Sequence, residues 1–241
     1  QAEKDYEIAL AKGDLKTARS KAQQTGRLTD SMVEETKLLL TALGIPFVQA
    51  PSEGEAQACY MVQKHDAFAV GSQDFDCLLV GSPILVRNLT SSGKRKVAGK
   101  EAYKKISVKQ IRLKDNLEKL GITQDQLVDM AILIGTDFNP GIHGIGPKKR
   151  QKLIKEHETI EQVLETIDVT DKPAREEITA IRKIFLNPDV TDDYDLGWKN
   201  PDEHEVIRIL CDTHQFSKSR VQETLRRYET PMKGTTQKTL F

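Results

Sequence analysis

Residues 51 to 58 read Pro-Ser-Glu-Gly-Glu-Ala-Gln-Ala, and they place two carboxylates at the start of a stretch with helical composition. The apolar run 45–49 comes directly before them and predicts a strand. A second apolar run, 67–71, is followed in the same way by Asp74 and Asp76. Because apolar runs here alternate with helical stretches, the sequence predicts an α/β layer with parallel strands.

Five carboxylates follow the apolar runs of this layer. Ligands gather at the carboxyl ends of the strands in an α/β sheet, so we expect these side chains to lie close together. They are Glu53, Glu55, Asp74, Asp76 and Asp137. Crowded carboxylates repel one another unless cations neutralise them, and Mg²⁺ prefers oxygen ligands. Two such ions about 4 Å apart activate water and polarise a phosphodiester, so the pattern favours phosphodiester hydrolysis.

Each carboxylate also has a local interpretation. Ser52 followed three residues later by Glu55 matches a capping box, and acids in the first turn complement the helix dipole. Asp74 and Asp76 are of a residue type that forms turns or caps helices, and Asp137 fits an ordinary loop. The combination of three acidic segments favours a metal site over these separate local roles.

The composition is that of an ordinary globular protein, with 30% charged and 38% apolar residues among 241. The formal net charge is zero, which argues against a simple nucleic-acid coat protein. No run approaches the roughly 20 apolar residues of a membrane helix, and no signal peptide is visible. The three cysteines lack CxxC spacing, which argues against a disulfide framework and a four-ligand zinc site. We therefore expect an intracellular protein without a membrane partner.

A glycine-rich turn joins two helical segments between Gly141 and Gly146. Glycine allows positive φ and close backbone approach, and Pro147 suits the first position of a helix. Backbone N–H groups at such a helix start can face a phosphate, and Arg150 and Lys152 extend the positive charge. The pattern favours a helix-hairpin-helix that binds the DNA backbone, over a glycine-capped turn and a solvated basic helix. The candidate DNA contacts are Gly141, Gly144, Gly146, Lys148 and Lys149.

The rest of the chain is predicted to be mainly helical. Residues 1–43 are rich in Ala, Glu, Lys and Leu, with a break at Gly13-Asp14 and a stop at Gly44. Apolar runs predict further strands at 78–80 and 84–86, and Ser92-Gly93 predicts a turn in a hairpin. The predicted parts are a leading helical segment, an α/β core with the metal site, a helical DNA-binding region and a tail. Their bounds are 1–43, 44–137, 138–229 and 230–241.

Together these residues resemble the structure-specific 5′ flap endonucleases, and among them the archaeal type. The resemblance covers nearly the whole chain, and its motifs occur in the family's order. They include Ala50-Pro51-Ser52-Glu53-Gly54-Glu55-Ala56, Ser72-Gln73-Asp74-Phe75-Asp76, Ile134-Gly135-Thr136-Asp137, Gly144-Ile145-Gly146-Pro147-Lys148-Lys149 and Trp198-Lys199-Asn200-Pro201-Asp202-Glu203. The resemblance implies a PIN-like, mostly parallel sheet flanked by helices, with a helix-hairpin-helix of the H2TH type and a partial helical arch.

The resemblance also implies a chemistry. The five carboxylates would line a two-metal site, with Mg²⁺ as the cofactor, Mn²⁺ able to replace it, and a K⁺ ion at the hairpin. Glu53 and Glu55 would hold one of the two ions, and the three aspartates the other. The implied substrate is branched DNA with a 5′ flap, cut during replication and repair. The implied enzyme is a monomer, and it is cytoplasmic if archaeal.

Both ends of the chain depart from the family pattern. The family begins with a segment that supplies two further metal-site aspartates, a catalytic lysine and arginine, and a wedge that bends DNA. A chain that starts at Gln1 is therefore expected to be a fragment. The basic residues that resemble part of the family's arch are Lys16, Arg19, Lys21 and Arg27. The tail residues that resemble the start of its binding motif for the sliding clamp, PCNA, are Gln237, Leu240 and Phe241.

Two other functions stay open. If the metal site lacks two ligands, the chain alone is a duplex DNA-binding module, which predicts binding without cleavage. The motifs also fit another branch-specific nuclease of the same superfamily. A comparison of flap, bubble and Holliday-junction substrates distinguishes that alternative.

Overall fold

A computed structural model describes residues 2–15, 17–18, 28–90, 93–96, 103–170 and 172–232. Within these residues, helices α1 (Ala2–Ala11), α2 (Asp30–Ala42) and α3 (Gly54–Gln63) come before the first strand. Helix α2 begins where the Thr29 side chain accepts a hydrogen bond from the Met32 N–H. It stops before Gly44, where φ is +69° and an added Cβ would lie 2.1 Å from the Lys199 carbonyl oxygen. The stop at Gly44 and the helices predicted over the described residues before β1 are confirmed, whereas residues 16 and 19–27 of the predicted helical segment lie outside the described residues.

A mixed sheet of three strands forms the centre of the α/β layer. Strand β1 (Val70–Gly71) pairs in parallel with β2 (Ile84–Arg87), and the short helix α4 (Asp76–Leu79) lies between them in the chain. A separate antiparallel hairpin consists of β3 (Lys94–Lys96) and β4 (Tyr103–Lys105). Strand β5 (Lys109–Arg112) pairs antiparallel with β2, so the sheet order is β1-β2-β5. The α/β class is confirmed, although only one of these two sheet pairings is parallel.

Two predicted strands are wrong. Residues 45–50 have no regular secondary structure, and residues 78 and 79 belong to helix α4. Periodicity alone cannot assign a short apolar run to a strand or a helix. Helix α4 reads as an apolar run because it contributes buried side chains, Cys77 and Leu79, to the core. The predicted turn at Ser92-Gly93 falls only partly on described residues. Gly93 lies at the base of the β3–β4 hairpin, where its carbonyl accepts a hydrogen bond from the Ile106 N–H at 2.9 Å.

Five helices follow the sheet, and all but the first of them contribute to the larger core. They are α5 (Leu113–Leu120), α6 (Gln124–Ile134), α7 (Pro147–His157), α8 (Ile160–Thr166) and α9 (Arg175–Leu186). A capping box between Thr123 and Gln126 starts α6. The most deeply buried side chains of this core come from four of the helices and include Val128, Ile132, Ile154, Ile160 and Ile178. This core supports both ends of α6, one of which leads into the acidic loop.

The last described segment is helical. It contains α10 (Glu203–Ile207), a π-helical turn (Arg208–Thr213) and α11 (Lys218–Met232). Buried side chains of this segment pack with Ala42 of α2 in a second, smaller core. None of the described helices combines the length and the apolar character that a membrane crossing requires.

The chain divides into two compact units. One unit contains residues 1–48 and 194–241, and the other contains residues 49–193. All five candidate carboxylates and the glycine-rich turn belong to the second unit. The four-part division by function stays a prediction.

Candidate metal centre

The first two carboxylates lie at the start of α3. Glu53 is the N-cap residue and makes no side-chain cap hydrogen bond, and Glu55 follows in the first turn. The capping box predicted for Ser52 and Glu55 is therefore wrong. The Glu55 carboxylate instead accepts a hydrogen bond from the Ser72 hydroxyl, across to the segment after β1. Glu55 thus points away from its own helix end and toward the next acidic segment.

Asp74 lies on a tight turn after β1, and Asp76 is the first residue of α4. The Asp76 N–H donates to Asp74 Oδ1 at 3.1 Å, so Asp74 also has the local turn role considered above. Arg87 on β2 fixes this turn from one side. Its guanidinium carbon lies 3.9 Å from the ring centre of Phe75, and the same group donates to the Gln73 carbonyl oxygen at 2.8 Å.

Asp137 lies in the loop between α6 and α7. Asn139, which is 7% exposed, organises this loop by donating from Nδ2 to the Ile132 carbonyl oxygen at 2.8 Å. Its Oδ1 accepts from the Thr136 N–H at 3.2 Å and from the Thr136 hydroxyl at 2.9 Å. Because Thr136 and Asn139 make the loop's internal hydrogen bonds, the exposed Asp137 side chain is not needed for them.

The structure brings all five predicted carboxylates together. Glu53, Glu55, Asp74, Asp76 and Asp137 line one cavity of about 140 Å³. Burial raises the pKa of Asp76, and the neighbouring charges of Asp74, Asp137 and Glu55 raise it further, in that order. A concentration of like charge of this kind is relieved by cations.

The donor set fits a hard cation that keeps part of its water shell. The cavity presents carboxylate oxygens, which are the ligands of Mg²⁺. Within the described ranges, however, no three histidine, cysteine or acidic side chains are arranged to hold one ion between them. Mg²⁺ is usually bound through one or two carboxylates together with water and substrate phosphates. A site without three protein ligands already in place is therefore compatible with Mg²⁺.

A buried glutamine, which the sequence analysis did not select, fixes helix α3. Gln57 is 2% exposed and exchanges two hydrogen bonds of 2.8 Å with the backbone of Thr191. One turn later, the Tyr60 hydroxyl donates to Asp192 at 3.0 Å. These contacts hold the helix that carries Glu53 and Glu55 against the segment after α9. The only signal in the sequence was a polar residue between two alanines, which gives no indication of its distant partner.

The predicted DNA contacts lie in the turn between α6 and α7 and in the first turn of α7, and the glycines differ in what the fold requires of them. Gly141 is buried with φ +72°, and an added Cβ would lie 2.3 Å from the Ile134 carbonyl oxygen. Gly144 has φ +80°, whereas Gly146 has φ −73°, and both face open space. Lys148 and Lys149 are exposed in the first turn of α7. The fold therefore explains the glycine at 141, while nothing within the described protein explains the one at 146.

Arg150 does not belong to the mobile surface charge. Its side chain is buried, and it donates a hydrogen bond to the Ile142 carbonyl oxygen. Burial lowers the pKa of its guanidinium. The expectation that Arg150 adds to the basic surface is wrong, because this side chain instead ties α7 to the turn before it.

Comparison with known proteins identifies relatives of the whole chain. Residues 44–137 match the XPG I-region family. The chain is 51% identical over 227 residues to flap endonuclease 1 of Staphylothermus marinus, a match covering 94% of this chain and 64% of that protein. It is 48% identical over 242 residues to flap endonuclease 1 of Pyrococcus abyssi, covering 100% of this chain and 68% of that protein. The chain thus spans about two thirds of the length of these relatives.

Solved structures show the same fold. Flap endonuclease-1 from Methanococcus jannaschii matches with a TM-score of 0.71 and 39% identity, covering 90% of this chain and 62% of that one. The catalytic core of Rad2 in complex with a DNA substrate matches with a TM-score of 0.66 at 20% identity, covering 85% and 71%, and shows the fold alone. These likenesses confirm the PIN-like α/β fold, and the H2TH form of the hairpin stays a prediction.

Proposed function

The chain belongs to the flap endonuclease family. We therefore propose that the protein containing this chain hydrolyses DNA phosphodiesters at 5′ flap junctions. The observation that supports this most strongly is the single cavity lined by five carboxylates from three separate segments. The chain spans 64% of the Staphylothermus marinus relative, so this activity is proposed for the protein to which the chain belongs. Replication and repair of branched DNA are the processes in which such cleavage is needed.

We propose that two Mg²⁺ ions, or Mn²⁺ in their place, occupy the cavity. Glu53 and Glu55 would hold one ion, partly through water, and Asp74, Asp76 and Asp137 would hold or bridge the other. When bound, such ions supply charge that activates water and stabilises the leaving oxygen of a phosphodiester. The protein's contribution is to fix the carboxylates before the substrate arrives, which lowers the cost of reorganisation during the reaction.

The cavity wall supports this role. The rest of the lining is apolar and consists of Ala56, Val80, Phe138, Ile184 and Phe185. Apolar neighbours limit the water around the carboxylates and strengthen their electrostatic interaction with a cation. Each of the three acidic segments is fixed by a hydrogen bond of a polar residue within it. These residues are Gln57 on α3, Ser72 after β1 and Asn139 in the loop of Asp137.

We propose that the turn between α6 and α7 binds the backbone of duplex DNA without reading its sequence. Gly144 and Gly146 face open space, so a sugar-phosphate strand can approach their backbone closely. Lys148 and Lys149 supply positive charge beside the N-terminus of α7, which itself favours anions. Gly141 shapes the turn, and its own contact with DNA stays a prediction, as does a K⁺ ion at this site.

The proposed partners of the chain ends rest on the sequence. Gln237, Leu240 and Phe241, the residues expected to bind the sliding clamp PCNA, lie outside the described residues. The same is true of the basic arch residues Lys16, Arg19, Lys21 and Arg27. We propose that the protein works as a monomer on branched DNA.

A second candidate is duplex binding without cleavage by this chain alone. The observation that favours it is that no three acidic, histidine or cysteine side chains of the described residues are arranged to hold an ion. A binding assay run beside each cleavage assay separates the two functions. Binding with no Mg²⁺-dependent product would support the second candidate.

The proposed specificity is tested by comparing substrates. Labelled double-flap, bubble and Holliday-junction DNAs of equal length are incubated with the protein and Mg²⁺, with Asp137→Asn as the inactive control. We expect the double flap to be cut fastest, near the junction. Preferred cutting of the Holliday junction or the bubble would assign the chain to another branch of the superfamily.

A further inference from the structure

We propose that Ser72 is a positioning residue. Its hydroxyl joins two of the three acidic segments of the cavity, because it holds Glu55 of α3 against the turn that carries Asp74. The inference rests on the proposed metal-dependent function, because it concerns the side chains that would hold the ions. The proposal adds Ser72, which has no carboxylate, to that site. The relative placement of two acidic segments would depend on its hydroxyl.

The hydroxyl of Ser72 makes two contacts in different directions. It donates to Oε1 of Glu55, which lies 17 residues earlier in the first turn of α3. It accepts from the N–H of Asp74 at 3.0 Å. A serine hydroxyl has one proton to donate, so donation to Glu55 leaves its lone pairs free for the Asp74 N–H. Both roles of the group are therefore used at once.

The contact with Asp74 alone would be an ordinary turn feature. Serine hydroxyls commonly accept from the N–H two residues later. The contact with Glu55 is different, because it joins the end of β1 to the first turn of another element and does nothing for the turn itself. The N-cap of α3 is Glu53 and Glu55 lies in the first turn, so a role as N-cap residue does not explain the orientation of Glu55. The second contact is therefore the one that indicates a role in the site.

The position of Ser72 suits this role. Its side chain is half-buried, as is that of Glu55, whereas Asp74 is exposed at the cavity. A hydrogen bond to an ionised carboxylate is shorter and stronger than a neutral one, and partial burial strengthens it further. Without the hydroxyl, the three rotatable bonds of the Glu55 side chain are less restricted, and ordering them on metal binding costs conformational entropy.

Three substitutions separate this role from general packing. Ser72→Ala removes the hydroxyl, and Ser72→Thr keeps it while adding a methyl group. Ser82→Ala is the matched control in the same unit, because Ser82 is a buried serine whose hydroxyl donates to the Ile84 carbonyl oxygen at 3.1 Å instead of to a cavity carboxylate.

The first measurement is Mn²⁺ binding to the 241-residue chain, followed by electron paramagnetic resonance. Groups that orient a metal ligand typically contribute 10- to 100-fold to affinity, so Ser72→Ala should weaken Mn²⁺ binding by roughly 10-fold or more. Ser72→Thr should retain most of the affinity, and Ser82→Ala should bind as the parent chain does. In cleavage assays at increasing Mg²⁺ concentration, Ser72→Ala should raise the concentration needed for half-maximal kcat and leave the KM for DNA unchanged.

The second measurement is amide hydrogen exchange of metal-free protein. The Asp74 amide should exchange faster in Ser72→Ala than in the parent chain or in Ser72→Thr, because it loses its acceptor. This readout requires no bound ion. If the parent chain bound no Mn²⁺ at all, the proposed metal function would fail. The Asp74 amide would still report whether the hydroxyl orders its turn, and faster exchange of the Gln57 amide in the first turn of α3 would report whether it also holds that helix.

Three results would overturn the proposal. One is an unchanged Mn²⁺ affinity in Ser72→Ala. Another is a loss in Ser72→Thr as large as that in Ser72→Ala, which would assign the effect to side-chain volume. The third is an equal loss in Ser82→Ala, which would assign it to general loosening of this unit.

Discussion

Asp76 is the carboxylate on which the electrostatic cost of the cavity is most visible. Burial raises its pKa first, and the charges of Asp74, Asp137 and Glu55 add to that shift. A carboxyl group whose pKa is higher in the folded than in the unfolded protein destabilises the metal-free fold once the pH rises above its unfolded value. The cavity therefore holds charge that the fold alone would not favour, as expected for a site built for function rather than stability.

Replacing Asp76 by asparagine should separate these two effects. We expect Asp76→Asn to raise the melting temperature of the metal-free protein slightly at neutral pH, because it removes a charge from a repulsive cluster. The same change should slow Mg²⁺-dependent cleavage by at least about 100-fold, since even groups that only orient a ligand contribute up to that much.

Calorimetry in chelator and single-turnover cleavage measure these two outcomes. Asp212→Asn, at an exposed carboxylate that lines neither the acidic cavity nor the hollow beside the glycine turn, is the control and should change neither. Full turnover in Asp76→Asn would contradict the assignment of Asp76 to the metal site.

At the scale of secondary-structure elements, one partly buried charge network joins three of the helices that build the larger core. Arg182 on α9 donates to Asp129 of α6 at 2.7 Å and to Glu161 of α8 at 2.6 Å. Asp129 is 2% exposed and also accepts from the Ile160 N–H at 3.0 Å. Three helices thus share one guanidinium, and α6 leads directly to the loop of Asp137.

Removing that guanidinium should destabilise the fold strongly. Arg182→Met leaves Asp129 buried without its ionic partner, and we expect the free energy of unfolding to fall by about 3 kcal/mol. Chemical denaturation monitored by circular dichroism measures this change. Arg208→Met breaks an exposed pair with Glu205 and should leave the stability nearly unchanged. Equal effects of the two substitutions would show that burial does not set the strength of the network.

The same network predicts a pH dependence with a definite sign. Hydrogen bonding to Arg182 holds the pKa of Glu161 below its ordinary value. The stability that this contact contributes is therefore present above the unfolded pKa of glutamate, about 4.3, and is lost as the pH falls through the lower folded value. Denaturation midpoints between pH 6 and pH 3 should fall less steeply in Glu161→Gln than in the parent chain. Parallel pH profiles would contradict this account.

The two turn glycines should respond oppositely to alanine. Gly141→Ala should destabilise the protein, because φ is +72° and the new Cβ would meet the Ile134 carbonyl oxygen. Gly146→Ala should fold normally, since φ is −73° and the space is open, yet it should weaken binding of duplex DNA. Thermal melting and fluorescence anisotropy separate the two effects. Unchanged DNA affinity in Gly146→Ala would argue against a close backbone approach at this position.

The sequence predicted the acidic segments better than the elements around them. Helix α3 and strand β2 were expected from composition, but the run 78–80 was assigned to a strand and β5 was not expected. A run of three apolar residues has no readable period, and β5 reads Lys-Gln-Ile-Arg, with one apolar residue facing the core. The contacts of Ser72, Gln57 and Arg87 could not be predicted either, because each joins residues distant in sequence whose pairing only the folded chain reveals.

At the scale of the whole molecule, the proposed metal site and the proposed DNA hairpin belong to the same compact unit, residues 49–193. The acidic loop of Asp137 and the glycine turn are consecutive parts of the connection between α6 and α7. One connection thus contributes both a carboxylate and a turn proposed to bind the DNA backbone. We expect that metal binding and DNA binding can be separated by substitution in it.

Charge reversal at the hairpin should affect DNA binding only. Lys148→Glu combined with Lys149→Glu should weaken duplex binding at low salt and lower the slope of log affinity against log salt by about 2, one unit for each phosphate contact. Mn²⁺ binding should stay the same. Lys114→Glu, at an exposed lysine on α5, is the control for a general charge effect. An unchanged affinity in the double variant would show that DNA does not use this turn.

The central claim, that the five-acid cavity is the metal site of a flap endonuclease, is tested most directly by cleavage of an end-labelled double-flap DNA. The 241-residue chain and its Asp137→Ala variant are assayed with Mg²⁺, with and without chelator, beside a binding assay. The account predicts a product cut near the flap junction that chelator and Asp137→Ala both abolish, while DNA binding persists. DNA that the parent chain binds and leaves uncut would support duplex binding without cleavage by this chain alone, whereas cleavage that survives Asp137→Ala would contradict the assignment of the metal site.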